Sequence, residues 1–497
     1  MHAPIPQPVL DILERLYQAG FEASLVGGSL RDILIGRSPK DWDITTNALP
    51  EDIQKIFPES VYENVYGTVG VKVPRFLEST PEERTSDIIE VTTYRIESTY
   101  SDARHPDKVQ FTNSLEQDLS RRDFTVNALA ATVSAGQLTI TDPFKGQRDL
   151  DEKLIRAVGV PEERFAEDAL RMLRAIRFLV ELGTKNSQGA LDWRIEPATL
   201  SALKTLAPSL QKIAIERVQD EFTKIILSPH PSIGVQLLSD TGLLKHFLPE
   251  LEEGIGVTQN LHHIYTVWEH NLRALETCPS KKLSVRLAAL LHDVGKPRTK
   301  KGGGYHATFY NHDHVGARMT KKILERLKYS REIVDHASLL VDQHLFYYNV
   351  GEVTEASVRR LIRRVGLENM DDLMAVRIGD RLGSGVPKAK PYKLRHLEYM
   401  IEKVSHDPIS VKMLPISGKD LMETLGEKPG PKIGALLECL LAEVIEDPTK
   451  NDRGFLLDRA RKLMDNDLHV LQTMAKEVIQ ERRQDDDTHI KGRHHVQ

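Results

Sequence analysis

The stretch Gly27-Gly28-Ser29-Leu30-Arg31-Asp32, followed by Asp41-Trp42-Asp43, constrains this chain more than any other. Glu22 to Val26 ends in β-type side chains and reads as a short strand. Two glycines then permit a tight turn and a close approach of backbone to a ligand. Leu30, Ile33 and Leu34 recur at helical spacing, and Gly36 marks a stop. Asp41 to Thr45 reads as the next strand, on which residues i and i+2 share a face. The pattern predicts free N–H groups at a helix N-terminus, where anions are favoured. Beside them stand two carboxylates that point the same way. Hard carboxylate oxygens suit Mg²⁺. Each piece alone is common; the order strand, Gly-Gly, helix, strand, Asp-x-Asp is not.

That order resembles the polymerase-β-like nucleotidyltransferase superfamily. Further segments are similar to the bacterial class II tRNA nucleotidyltransferase (CCA-adding enzyme) and poly(A) polymerase family. They are Tyr66-Gly67-Thr68-Val69, Glu90-Val91-Thr92-Thr93-Tyr94-Arg95, and Arg121-Arg122-Asp123-Phe124-Thr125-Val126-Asn127-Ala128-Leu129. Asp142-Pro143-Phe144-Lys145-Gly146 with Asp149-Leu150, Glu167-Asp168-Ala169-Leu170-Arg171, and Glu216-Arg217 with Glu221-Phe222 continue the series. Asp102-Ala103-Arg104-His105-Pro106 falls where the family has a flexible loop tied to the switch from C to A.

The resemblance implies that a tRNA 3′-hydroxyl attacks the α-phosphorus of CTP or ATP and pyrophosphate leaves. Asp41 and Asp43 would hold Mg²⁺, two ions about 4 Å apart in such sites. Glu90 would be the third carboxylate, and Gly27, Gly28, Arg31 and Arg122 would meet the triphosphate. Asp168, Arg171, Arg174 and Arg177 repeat every three residues, so on a helix they form one slowly drifting stripe. Leu170, Leu173, Ile176 and Phe178 are expected on the other face. A carboxylate accepts from an amino group and an arginine donates to ring atoms. CTP and ATP both present an amino group beside a ring-nitrogen acceptor, whereas UTP and GTP present a carbonyl. By resemblance, Asp168 and Arg171 read the base, and Arg174 and Arg177 hold phosphate or support that pair. A solvated, salt-bridged helix face is the commoner fate of such a stripe.

A second constellation follows: His262, His263 and His270, a helical run Leu283 to Leu291, then His292-Asp293-Val294-Gly295-Lys296, His312-Asp313-His314, His344 and Asp380. It resembles the HD superfamily of metal-dependent phosphohydrolases. The implied ligand set is His270, His292, Asp293 and Asp380, with His312 and His344 as candidates for a second metal or phosphate. Imidazole plus carboxylate suits Mn²⁺, Ni²⁺, Fe²⁺ or Zn²⁺.

A chain of 497 residues implies several domains. The expected fold class is α+β. A nucleotidyltransferase head (mixed sheet plus helices) covers about 1–150 and a helical neck and connector 151–256. An HD domain covers 257–385, a helical tail that contacts tRNA 386–480, and a disordered end 481–497. No long apolar run or signal-like start is seen, so a cytoplasmic protein without a membrane segment is expected. Cys278 and Cys439 form no framework, which fits a reducing compartment. The net charge of −5 does not speak for RNA binding, although phosphate contacts need only local positive charge. Local basic stretches are Arg359-Arg360 with Arg363-Arg364, Lys388 to Lys393, and Arg482-Arg483. The sequence leaves the oligomeric state open.

Within the family, full CCA addition competes with A-only or CC-only addition and with poly(A) addition. The loop at Asp102 to Pro106 favours CCA or A addition over CC alone. No strongly basic segment follows the Asp-x-Asp strand, which disfavours poly(A) addition. From another class, the chain could be mainly an HD phosphohydrolase acting on nucleotides or RNA ends.

Overall fold

The computed structural model describes residues 5–64, 66–76, 86–98, 108–134, 137–259, 264–303, 306–346, 355–385, 392–405, 411 and 414–475. Several expectations lie outside them: the Asp102 to Pro106 loop, His262 and His263, residues 388–391 of the basic stretch, Arg482-Arg483 and the end of the chain.

Two compact units are present, residues 1–342 with 375–385, and residues 343–374 with 386–497. The first begins with the α+β head. Its strands are β1 (Ala23–Val26), β2 (Asp43–Thr46), β3 (Ser60–Asn64), β4 (Thr68–Pro74), β5 (Ser86–Thr93), β6 (Arg95–Ser98), β7 (Lys108–Phe111), β8 (Ala130–Ser134) and β9 (Gln137–Thr141). Among the described residues, seven strands form one sheet in the order β3-β4-β5-β2-β1-β8-β9, and β6 pairs with β7. Only the β2–β5 pairing in that sheet is parallel; it sets Asp43 opposite Glu90, while β1 sets Val26 opposite Asp43.

The head helices are α1 (Gln7–Gln18), α2 (Gly27–Leu34), α3 (Pro50–Ile56), α4 (Leu115–Ser120) and α5 (Gly146–Asp151). The buried residues Val9, Ile12, Leu13 and Leu16 of α1 join Leu25, Trp42, Ile44, Val69, Val71, Ile89 and Val91 in one core. On β2 and β5 that core takes alternate side chains, so Asp43 and Glu90 face the other way.

The neck has α6 (Pro161–Glu167), α7 (Leu170–Leu182), α8 (Pro197–Leu206), α9 (Ile215–Leu227), α10 (Pro231–Asp240) and α11 (Pro249–Glu252). It is helical except for a short parallel ladder of β10 (Leu154–Ile155) with β11 (Arg194–Ile195). Pro161, Pro197 and Pro231 start their helices, where no N–H is needed and φ is preset.

Further on come α12 (Val267–Thr277), α13 (Leu283–Leu291), α14 (Lys296–Thr299), α15 (His312–Arg326) and α16 (Arg331–Gln343). Thr266 and Glu269 close a capping box at the start of α12. The remaining helices are α17 (Glu355–Val365), α18 (Met370–Gly383), α19 (Tyr392–Ser405), α20 (Gly418–Leu425), α21 (Pro431–Glu446) and α22 (Arg453–Leu463). In the second unit Leu421, Leu436, Leu440, Leu456 and Leu471 are fully buried in a core of their own. Cys278 and Cys439 are both buried, one in each unit. Among the described residues no helix is long and apolar enough to cross a membrane.

Candidate active site

A cavity of about 820 Å³ opens on the polar side of the central strands. It gathers Gly27, Gly28 and Arg31 from α2, Asp41, Asp43 and Glu90 from the sheet side, Arg122, and Asp168, Arg171, Arg174 and Arg177 from the neck. All the residues expected for nucleotide and Mg²⁺ therefore share one space. Two local expectations change. Strand pairing starts at Asp43, so Asp41 and Trp42 precede β2 rather than belong to it. The alternation still runs through them, because Trp42 is buried in the core while Asp41 is exposed. The helix begins at Gly27 itself, not after the glycine pair.

Gly27 has a φ of 68°, a left-handed conformation that glycine adopts without a Cβ penalty. A Cβ there would lie 3.2 Å from both Arg122 Nη1 and Asp43 Oδ2. Burial raises the pKa of Asp43, and the Asp41 charge adds to this, against the opposing pull of Arg122 and Arg31. Two neighbouring carboxylates offer hard oxygen donors, a set that fits a divalent cation. Arg31 is anchored by Asp32, 2.7 Å away, and donates to Asn127 Oδ1 at 2.8 Å. Arg122 lies 3.5 Å from Asp118.

The neck side departs from a single helical stripe. Asp168 is not on α7; it caps the end of α6 in an extended conformation. Its Oδ1 accepts from the Leu170 N–H at 3.0 Å, the local bond by which an aspartate interrupts one helix and starts the next. Arg171, Arg174 and Arg177 do lie on α7. Arg171 bonds Glu167 at 2.6 Å and the Arg121 carbonyl at 3.1 Å. Arg174 bonds Asp123 at 2.7 Å. Burial alone would raise the Asp123 carboxyl, but Arg174 and Asn127 outweigh it and hold its pKa at about 2. Arg177 bonds Glu221 of α9 at 2.6 Å and Glu181 at 2.8 Å.

Leu170 and Phe178, expected on the opposite face, both line the cavity, and Phe178 does so with its ring among the arginines. Its ring centroid is 4.1 Å from the Arg177 guanidinium carbon, 5.2 Å from that of Arg31 and 5.3 Å from that of Arg174. Such cations sit favourably on an aromatic face. Arg95, Arg121, Asn127 and Arg217 also line the cavity, although the sequence marks them only as members of longer segments.

The first unit's beginning matches a model described as the poly A polymerase head domain over residues 23–156. Residues 192–255 match a probable RNA and SrmB-binding site of polymerase A, and 306–460 a tRNA nucleotidyltransferase domain 2. The chain is 35% identical to the CCA-adding enzyme of Ligilactobacillus salivarius, covering 92% of this chain and 96% of that one. The chain belongs to the CCA-adding enzyme family. Its identity to the Enterococcus faecalis CCA-adding enzyme is 32%, over 91% of this chain and 94% of the relative. The crystal structure of the Bacillus stearothermophilus CCA-adding enzyme in complex with CTP matches with a TM-score of 0.59 at 27% identity, covering 93% of this chain and all of that one. Membership in this family implies dependence on a divalent metal.

The histidine cluster is a separate site in the first unit. His270 on α12 and His292 after α13 approach with Nε2 atoms 3.0 Å apart. Asp293 Oδ2 lies 3.4 Å from His270 Nε2 and 3.3 Å from His292 Nε2. Asp380 Oδ1 lies 3.2 Å from His270 Nε2. His292 Nδ1 donates to the Ala289 carbonyl at 2.8 Å, which turns its Nε2 into the cluster. The four expected ligands thus converge, and His312 Nε2 joins them at 3.3 Å from Asp293. Lys296 is 2.5 Å from Asp293 and Arg377 is 2.6 Å from Asp380, so both carboxylates also face a resident cation. His314 is exposed and turned to Asp342 at 2.6 Å, outside the cluster. His344 belongs to the second unit.

Proposed function

We propose that this chain is a template-independent tRNA nucleotidyltransferase. It adds or repairs the 3′-terminal CCA of tRNA with CTP and ATP, and releases pyrophosphate. One observation carries the reading: a single cavity holds the Asp41/Asp43 pair, the Gly27-Gly28 turn and the Asp168/Arg171 pair. The CTP complex of the Bacillus stearothermophilus relative supports the nucleotide assignment.

Asp41 and Asp43 hold Mg²⁺, which supplies positive charge beside the phosphates and the attacking hydroxyl. Glu90, opposite Asp43 on the neighbouring strand, orients that hydroxyl or takes its proton. The new bond joins the tRNA 3′-oxygen to the α-phosphorus, and the bond from that phosphorus to the bridging oxygen breaks. Gly27 and Gly28 give the triphosphate room, and Arg31 and Arg122 meet its charge. Arg174 and Arg177 support the base-reading pair or hold phosphate. Asp168 accepts from the exocyclic amino group of cytosine or adenine, and Arg171 donates to the adjoining ring nitrogen. A uracil or guanine carbonyl at that place meets a carboxylate that cannot donate. Positioning and charge do most of the work.

The test uses tRNA transcripts ending at the discriminator base, at CC and at CCA, each given CTP, ATP or both with Mg²⁺. Three additions that stop at CCA support the reading. Extension of the CC end by ATP alone makes the chain an A-adding enzyme, extension by CTP alone a CC-adding one, and a long A ladder a poly(A) polymerase. No addition to any transcript overturns it.

The histidine cluster favours a second reading beside the first. His270, His292, Asp293 and Asp380 hold a divalent transition metal such as Mn²⁺, Ni²⁺, Fe²⁺ or Zn²⁺ and hydrolyse phosphate esters of nucleotides or RNA ends. The convergence of two imidazoles and two carboxylates supports it. Phosphatase and cyclic-phosphate assays on metal-loaded protein decide it, with His292→Ala as the negative control.

A further inference from the structure

Arg217 stands on α9, outside the segment that carries the base-reading pair. Its guanidinium reaches back to Asp168, with Nη2 2.8 Å from Oδ2 and Nη1 3.4 Å from Oδ1. The Leu170 N–H takes the other side of Oδ1. The plane of the Asp168 carboxylate is therefore set by two donors, one from the start of α7 and one from a helix 49 residues away in sequence. One turn further along α9, Glu221 grips Arg177. Arg171, by contrast, is held by Glu167 and by the Arg164 and Arg121 carbonyls. Both Asp168 and Arg217 line the cavity.

We propose that Arg217 is a specificity-determining positioning residue: by fixing the plane of the Asp168 carboxylate, it aims the lone pairs left open at the amino group of the incoming base. This rests on the assignment of Asp168 as a base reader. A carboxylate has about four acceptor positions, and the Leu170 N–H and the Arg217 guanidinium occupy those facing the protein. Without Arg217 the carboxylate turns about its side-chain bonds. It then meets the amino group poorly, and the orientation that repels a carbonyl is lost.

The experiment measures kcat and KM for CTP, ATP and UTP on the full-length protein, with transcripts ending at the discriminator base and at CC. Arg217→Ala is expected to lower the CTP-over-UTP preference in kcat/KM by about 10- to 100-fold, with the KM for tRNA unchanged. Arg217→Lys keeps one donor but not the fork, and is expected to recover part of the preference. In an Asp168→Ala background the Arg217 change should cost no further selectivity. Equal losses for all three nucleotides in Arg217→Ala, or an undiminished cost in the Asp168→Ala background, would overturn the proposal. If Asp168→Ala itself keeps the full CTP preference, the base-reader assignment fails first, whatever Arg217 does. Circular dichroism melts identify a variant that is merely unfolded, and Arg217→Gln, similar in reach and uncharged, then takes the place of alanine.

Discussion

Asp43 meets two opposed demands. Burial and Asp41 raise its pKa, yet the proposed chemistry needs it ionised. A carboxyl whose pKa is higher in the folded than in the unfolded chain weakens the metal-free fold as pH rises above the ordinary carboxylate range, and this cost vanishes below that range. Asp43→Asn should therefore raise the Tm of metal-free protein at pH 7 by about 1–4 °C, with the gain shrinking toward pH 3. The same variant should lose nucleotide addition by about a thousandfold or more. A lower Tm at pH 7 would show that Arg122 and Arg31 already compensate the charge. At the turn, the two glycines should behave differently. Gly27→Ala combines a positive φ with 3.2 Å contacts to Arg122 and Asp43, so both stability and activity should fall. A Cβ on Gly28 meets only the Arg31 guanidinium, at 3.6 Å. Gly28→Ala should keep its Tm and raise the KM for nucleotide, because the added methyl takes space proposed for phosphate.

At the scale of elements, α7, α9 and α10 form the support of the base-reading side. Gly234 of α10 lets them approach: a Cβ there would lie 2.5 Å from Ile225 of α9 and 3.5 Å from Val180 of α7. Gly234→Ala should cost roughly 1–3 kcal/mol in a denaturant melt, through overpacking. A neutral result would mean that the helices have slack to part. The catalytic side was legible in the sequence because one apolar alternation carries it: Trp42 and Ile44 inward, Asp41 and Asp43 outward. The neck was only half legible. A three-residue repeat cannot tell whether the helix starts before Asp168 or after it, and the capping bond to Leu170 decides for after. Phe178 is one residue from Arg177, and its turn toward the cavity depends on the guanidiniums that stack on it. Arg217 stands in the sequence only as a member of the Glu216-Arg217 and Glu221-Phe222 segment; that it reaches Asp168 is a tertiary fact.

For the molecule as a whole, net charge misleads. The chain carries −5, whereas the cavity is lined by eight arginines against five acidic residues. Local positive charge is what a polyphosphate meets. The histidine cluster shares no residue with that cavity. His292→Ala combined with Asp293→Ala should abolish stoichiometric transition-metal binding, read by elemental analysis, and leave nucleotide addition within about threefold of the parent. A larger loss would mean that the two sites are coupled through the first unit.

The pairing of Val26 and Glu90 with Asp43 has a further consequence. Strand positions come in whole residues, and a slip by one sends every side chain to the opposite face. The spacing between the glycine turn and its carboxylate is thus digital rather than continuous. A one-residue insertion inside β2 would not weaken this centre by degrees; it would turn either Ile44 into the cavity or Asp43 into the core. The segment between Leu34 and Asp41 lies outside both strands, so a change of length there leaves the pairing of Val26, Asp43 and Glu90 in step.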